Sequence, residues 1–391
     1  MLIFKAPVTV IGGGIAGLWI YKTLWSRGIP TLLVESHQIG GGQTLASQGM
    51  IHGGQKYTLQ ARNTPQAELL KNMPDRWNAA LEGQVNSIDL SETQILSQTQ
   101  VLWTTSWLDS ITGFFASKSM QSRVTAVHET RPPLLTNPKF KGQVFELKEK
   151  VVNVSSLIHN LIGEGKGTIF GHFPHIERSS DGAIRYLCGQ VDNQAAQIES
   201  DCFIFTAGSG NESYIQKLGN QQTQVRPIKQ SIIKGDLPPI FGHCITADPR
   251  PRITITTHKT QNNETVWYLG GLTAEKTQNM SEEDSRALVQ SELNKIFPWY
   301  QWPENLEIGF VNKNRAEIAS SGLLSTGPQI RSEKNWTMIW PTKMTYAPIL
   351  SDKVETLCQE INFQTSFHWN PTNLKIGKQP WDECEWKPFT I

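Results

Sequence analysis

The sequence predicts an α/β fold divided between two domains. The first observation is a strand, glycine turn, helix, strand pattern at the amino terminus, "PVTVIGGGIAGLWIYKTLWSRGIPTLLVE". The second is length, since 391 residues exceed what one ordinary core organises. The third is a middle region of strand-like runs broken by turn residues. Such runs favour an antiparallel sheet with helices on one face, an α+β unit.

The amino-terminal elements follow in order. Pro7 to Ile11 is a short valine-rich run, as a buried parallel strand needs. Gly12, Gly14 and Gly17 form G-x-G-x-x-G. The helix from Ile15 to Arg27 is apolar early and polar late, and Gly28 suits its C-cap. Thr31 to Val34 gives the second strand, ending at Glu35. Gly12 permits a tight turn, and Gly14 lets the backbone approach a pyrophosphate. The helix start at Ile15 and Ala16 attracts that anion, and Gly17 lets helix and strand pack closely. Glu35, with Ser36 beside it, sits where a carboxylate accepts hydrogen bonds from an adenosine ribose. The bland alternative is a glycine-rich turn that holds nothing. The two flanking strands and the acidic residue favour a Rossmann-like dinucleotide site.

The fingerprint does not separate NAD from FAD. FAD needs more protein, because its ring lies far from the first phosphate site. Two stretches suit that need. The loop "SHQIGGGQTLASQGMIHGGQKY" follows Glu35. It carries Gly40, Gly41, Gly42 and Gly49, with Thr44, Ser47 and Gln48 as polar groups and Ile51 and His52 at its far end. The stretch "NWTMIWPTKMTYAPILSDKVETLCQEI" reads as a strand over Trp336 to Trp340 and a helix from Tyr346. Lys343, Met344 and Thr345 then stand at a helix N-terminus, where a positive end and a lysine suit the anionic edge of a reduced flavin.

On these residues the chain resembles an FAD-dependent oxidoreductase of the D-amino-acid oxidase superfamily. "IHGGQKY" and "PTKMTYAPILSDKV" are most similar to the flavin-dependent glycerol-3-phosphate dehydrogenases, which read roughly "IHGGLRYL" and "GGKLTTYRKMAE". "SQGMIHGG" also resembles the L-2-hydroxyglutarate dehydrogenases, near "NSGVIHAG". Weaker echoes are "VVNVSSLIHNLI" with Val152 on the adenine side, "DCFIFTAGSGNE" with Ala207 and Gly208 closing over the dinucleotide, and "NKNRAEIAS" with Arg315 as the pocket arginine. The chain departs from the family at Trp340-Pro341-Thr342, where a glycine pair is usual, and at Ala316, where proline is usual. Both departures lie on the substrate side.

The resemblance implies an interleaved layout. A Rossmann-like FAD-binding domain would gather residues 1–85, 151–224 and 312–391. An α+β antiparallel-sheet substrate domain would gather residues 86–150 and 225–311. Its expected strands include "QVLWTTSW", "GQVFELKEK", "QSIIKGDL", "RITITTHKT" and "TVWYLGGLTAE", with "TQNNE" as a hairpin turn. "SEEDSRALVQSELNKIFP" opens with serine and acids and reads as a helix. "RSSDG" and "VDNQAA" are turns of a small meander.

Three roles are open to His52: general base for an alcohol, covalent anchor of the flavin, or a histidine that braces the loop. Arg315 suits a substrate carboxylate or phosphate; its alternative is a surface pair with Glu317. Lys343 suits flavin charge or a substrate anion; its alternative is a solvated turn. Lys56 and Tyr57 either face the flavin or begin the next helix. His258, in "RITITTHKT", reads as an outer-face strand residue, with the substrate cavity as the other choice.

Composition narrows the partners. Net charge is +1, which favours neither nucleic acid nor an anionic membrane. Five scattered cysteines without a C-x-x-C pair argue for reduced thiols and against zinc. The apolar run Ala6 to Ile20 is broken by glycines and is too short to span a bilayer. The expected protein is soluble and cytoplasmic, at most peripheral to the inner membrane. The expected activity is hydride transfer from a small, anionic CH-OH or CH-NH donor to FAD, with quinone or oxygen as electron acceptor. A 2-hydroxy acid or glycerol 3-phosphate comes first, and an amino acid or secondary amine second. A tRNA-modifying flavoenzyme and a non-catalytic flavin binder are the readings from other classes.

Overall fold

The structure, a computed structural model, describes residues 1–53, 70, 72–85, 87–106, 124–126, 131–219, 223–246, 248, 250–318, 327–340, 343–369 and 371–391. The βαβ unit is β1 (Leu2–Ile11), α1 (Ile15–Ser26) and β2 (Thr31–Glu35). There follow α2 (Met73–Leu81), β3 (Ile95–Ser97), β4 (Gln100–Trp103), β5 (Val124–Ala126), β6 (Val144–Leu147), β7 (Val151–Val152), α3 (Val154–Ile162) and β8 (Thr168–Phe170). Next come β9 (His172–Arg178), β10 (Ile184–Val191), β11 (Gln194–Phe205), α4 (Asn211–Leu218), β12 (Thr223–Lys234), β13 (Gly242–Cys244), β14 (Ile253–Lys259) and β15 (Thr265–Gly270). The chain closes with α5 (Leu272–Thr277), α6 (Glu282–Ile296), β16 (Glu307–Ile318), β17 (Gln329–Glu333), β18 (Trp336–Trp340), α7 (Ala347–Gln359), α8 (Pro380–Glu383) and β19 (Lys387–Pro388).

The first sheet has the order β17-β18-β11-β1-β2-β8. β18, β11, β1, β2 and β8 pair in parallel. β1 starts at Leu2 rather than at the expected Pro7, because its register with β11 begins at Leu2 opposite Ala196. The expected meander is present. β9, β10 and the start of β11 run antiparallel, and Asp192 and Asn193 take positive φ in the tight turn between the last two. Leu18, Leu24, Leu157, Leu161, Leu350 and Val354, from α1, α3 and α7, fill one face of the sheet. Phe173, Leu187, Phe203, Phe205 and Ile215 fill the other. α3 opens where Asn153 Oδ1 accepts the N–H groups of Ser155 and Ser156.

The second sheet has the order β19-β16-β12-β15-β14-β13-β4-β6-β5. Its pairs are antiparallel except β13 with β4. The period-two alternation of β14 and β15 decides its faces. Ile253, Ile255, Trp267 and Ile233 meet Val289, Leu293 and Ile296 of α6. The helix begins as expected, with Ser281 Oγ accepting the Asp284 N–H. Thr254, Thr256, His258 and Tyr268 take the opposite face, toward the loop after β2. There the Tyr268 hydroxyl donates to the Ala46 carbonyl at 2.7 Å.

Three stretches run across the boundaries expected from sequence. Residues 312–318 continue β16, in unbroken register with 223–229 of β12. β3 pairs with β7, and Ile88 and Leu90 pack in the first core. β19 joins β16, so the carboxyl terminus ends in the second sheet. The run "LTAE" is helical within α5, not strand, because the chain turns at Gly271 after β15.

Candidate active site

One cavity of about 1120 Å³ lies between the two sheets. Its floor is the βαβ turn. Gly12 adopts φ +110°, and a Cβ there would stand 2.6 Å from the Ala207 Cα. Gly17 is tighter, since its Cβ would stand 2.0 Å from the Gly12 carbonyl oxygen. Gly14 caps α1 in an extended conformation with no side-chain cap of its own. The amide groups at that helix end therefore face the cavity with a positive dipole. Gly12, Gly14, Ile15, Ala16, Glu35, Ser36, Ala207 and Gly208 all line it. Glu35 Oε2 accepts the Gly13 N–H at 2.8 Å and Oε1 accepts the His37 N–H at 2.9 Å, so the carboxylate also fixes the turn. Close backbone, a helix N-terminus and a carboxylate at one end fit a dinucleotide. Nearby, burial raises the Tyr214 hydroxyl to about 12, with Glu35 adding to the rise.

The loop after β2 forms one long wall. Thr44, Ser47, Gln48, Gly49 and His52 line the cavity. Some of their polar atoms are committed to the protein. Thr44 Oγ1 accepts the Ile15 N–H at 2.9 Å. Gln48 Nε2 donates to the Tyr268 carbonyl at 2.7 Å and reaches Thr256 Oγ1 at 3.3 Å, pinning the loop to the second sheet. Gly17, Ile51 and Val152 are not on the wall. Gly17 is enclosed by Gly12 and Thr206. Ile51 is buried, and Gln100 Nε2 donates to its carbonyl at 3.3 Å. Val152 is buried under the loop, and its N–H donates to the Gly49 carbonyl.

At the far end of the cavity, the His52 N–H donates to Thr345 Oγ1 at 3.2 Å. The next amide, Gly53, donates to the buried Glu149 carboxylate at 2.7 Å. The His52 ring meets the ring of His243 at a centroid distance of 5.8 Å. Lys343 precedes a single 3₁₀ turn, Met344–Tyr346, that leads into α7, and its Nζ lies 5.8 Å from the centre of the Tyr346 ring. Lys343, Met344 and Thr345 line the cavity. The structure therefore brings His52, Lys343 and Thr345 together.

Arg315 lines the same cavity but is exposed, on β16. Three strands, β12, β15 and β14, stand between its strand and that of His243. It thus enters nearer the other edge of the sheet. The Glu317 side chain, Lys56 and Tyr57 lie outside the described residues. His258 is on neither the outer face nor the cavity wall. It is 5% exposed, packed on Trp381 at a ring distance of 4.9 Å, and burial lowers its imidazole to about 3.

Sequence reasoning missed Arg250, Thr254, Glu275 and Gln230 on the wall. The alternation in "RITITTHK" held the signal for Thr254, because it sends the isoleucines to one face and the threonines to the other. His243 carried no local signal; only the pairing of β13 with β14 aims it. All five cysteines are free thiols. Among the described residues, no helix is long and apolar enough to cross a membrane, and no cluster could hold a metal.

A family model described as FAD dependent oxidoreductase matches residues 7–314. The probable FAD-dependent oxidoreductase PA4991 of Pseudomonas aeruginosa is 38% identical over 374 residues, covering 93% of each chain. Its crystal structure superposes with a TM-score of 0.80 at 32% identity, over 97% of this chain and 98% of that one. Glycine oxidase from Geobacillus kaustophilus aligns at a TM-score of 0.65 and 12% identity, over 93% of this chain and 97% of its own. L-alpha-glycerophosphate oxidase from Mycoplasma pneumoniae gives the same score and identity, over 95% and 97%. Those two show a shared fold only. With the glycine turn, the carboxylate of Glu35 and the continuous cavity, the matches identify an FAD-dependent enzyme: the chain belongs to the FAD-dependent oxidoreductase family.

Proposed function

We propose that the protein oxidises a small anionic donor at a CH-OH carbon, with a 2-hydroxy acid or glycerol 3-phosphate first. The observation that carries this is the single cavity joining the dinucleotide turn to His52, Lys343 and Arg315. FAD, when bound, supplies the two-electron sink for the hydride that the donor carbon loses. His52 is in the right place to take the hydroxyl proton, since imidazole titrates near neutral pH. Lys343 and the turn before α7 offer positive charge to the ring end of the cavity. Arg315 offers a planar fork to a carboxylate or phosphate. The fold is shared by an oxidase of glycine and one of glycerophosphate, so the cavity wall, not the fold, selects the donor.

The test is anaerobic mixing of the flavoprotein with a donor panel: 2-hydroxy acids, glycerol 3-phosphate, amino acids and secondary amines. A hydroxy-acid or phosphate donor should bleach the flavin. Bleaching by amines alone would replace the alcohol reading, and no bleaching by any donor would leave a flavin binder. Arg315→Ala should weaken donor binding by roughly tenfold or more while FAD stays bound. Unchanged donor binding would remove Arg315 from the site. Reoxidation by oxygen against a soluble quinone then identifies the acceptor.

A further inference from the structure

We propose that His243 is the positioning residue for His52, and that Thr254 holds His243 in that role. The inference rests on the reading of His52 as proton acceptor. His243 stands on β13 directly opposite Thr254 on β14. It is fully buried, at 0% exposure, and its Nδ1 lies 2.7 Å from Thr254 Oγ1. Thr254 itself reaches the cavity wall. His52 arrives from the other domain, half-buried and on the same wall. The two rings meet at 5.8 Å between centroids with 36° between planes. That separation brings the two rings close enough for charge on one to act on the other.

Two imidazoles so placed do not both become imidazolium, because like charges repel strongly where water is scarce. Burial disfavours the charged form, so the fully enclosed His243 stays neutral and His52 titrates. A His243 that gives its Nδ1 proton to Thr254 Oγ1 keeps a lone pair on its other nitrogen. The lone pair stabilises the imidazolium at His52 and fixes the ring against the donor. Other charged groups face His52 as well. The Glu149 carboxylate, which accepts the Gly53 N–H, also favours the imidazolium. Lys343, just before Thr345, opposes it. Arg250, Glu275 and Arg315 stand on the same cavity wall. In the proposed reaction the donor's C–H electron pair leaves as hydride, the hydroxyl proton passes to His52, and the O–H electron pair becomes the second C=O bond. His243 makes His52 able to keep that proton until the product leaves.

The test uses ring-nitrogen NMR of the FAD-loaded protein with labelled histidine, titrated from about pH 5 to pH 9, with His52→Asn assigning the His52 signal. Signals from His243 should stay neutral throughout. In His243→Leu the His52 midpoint should fall by about one pH unit. Thr254→Val should lower it by less, and His243→Gln, which keeps an acceptor, should recover at least half of the loss. An unmoved or raised midpoint in these variants would overturn the proposal. If His243→Leu does not fold, Thr254→Val and His243→Gln carry the comparison. The readout needs no substrate, so it is separate from the donor panel. A shifted midpoint with no bleaching keeps the pair and removes the dehydrogenase reading, and bleaching with an unmoved midpoint does the reverse.

Discussion

His258 shows what placement does to a titratable side chain. In the unfolded chain its imidazole titrates near 6.5. In the fold it is held to about 3, by burial between Tyr268 and Trp381. The neutral form therefore belongs to the folded state. As pH falls from 6.5 toward 3, the unfolded chain binds one proton more than the folded chain, so stability falls. The slope from this one group approaches about 1.4 kcal/mol per pH unit. Urea unfolding of wild type should lose stability between pH 7 and pH 5 faster than His258→Gln does. Parallel slopes would mean that the site opens to water. The sequence placed His258 with the threonines of its strand, and the alternation was legible. What could not be read was that the threonine face meets Trp381 and the loop of Ala46 and Gln48 instead of solvent.

Among elements, α1 and its turn are tightly constrained. A Cβ at Gly17 would stand 2.0 Å from the Gly12 carbonyl oxygen and 2.6 Å from the Thr206 hydroxyl. Both neighbours are held, since Thr206 Oγ1 donates to the carbonyls of Ile11 and Gly12. Gly17→Ala must push the helix start away from the sheet and displace the backbone of Gly14, Ile15 and Ala16 that lines the cavity. The purified variant should contain less than about a tenth of the wild-type flavin per chain, judged by absorbance at the visible flavin band, a loss of roughly 1.4 kcal/mol or more in binding. Near-full flavin content would show that the packing gives way without cost. Such elements were legible because their signals are local: glycine spacing for α1, Ser281 with its following acids for α6, the apolar face of α7. The pairs β3 with β7 and β13 with β4 were not, because each joins short segments far apart in sequence. For the same reason Glu149 and His243 were invisible beside His52, which a nearby run of glycines had already marked.

At the scale of the whole molecule, the carboxyl-terminal segment joins both sheets across the glycine loop of the cavity wall. It is tied first to the β1 edge, where Lys5 and His368 exchange backbone hydrogen bonds. It then brackets Ile39, whose N–H donates to the Lys375 carbonyl and whose carbonyl accepts the Gly377 N–H, at 2.8 and 2.9 Å. Gly377 passes so close that a Cβ there would stand 2.9 Å from the Gly41 Cα. Trp381 then packs on His258, and β19 pairs with β16. Lys313, on β16, donates to the Gly41 carbonyl from the other side. The glycine loop on the cavity wall is thus held by this strap as well as by its own bonds, such as that from the Gly40 N–H to the Gly13 carbonyl. Each backbone bond contributes about 1 kcal/mol net, and the strap makes two at Ile39 alone. A chain ending at residue 372 should bind FAD at least tenfold more weakly in reconstitution of the apoprotein. Gly377→Ala, which presses on Gly41 with the strap intact, should weaken it in the same direction by less. Equal FAD affinity in both variants would show that the loop closes over the cofactor unaided, and that the strap serves only to join the two sheets.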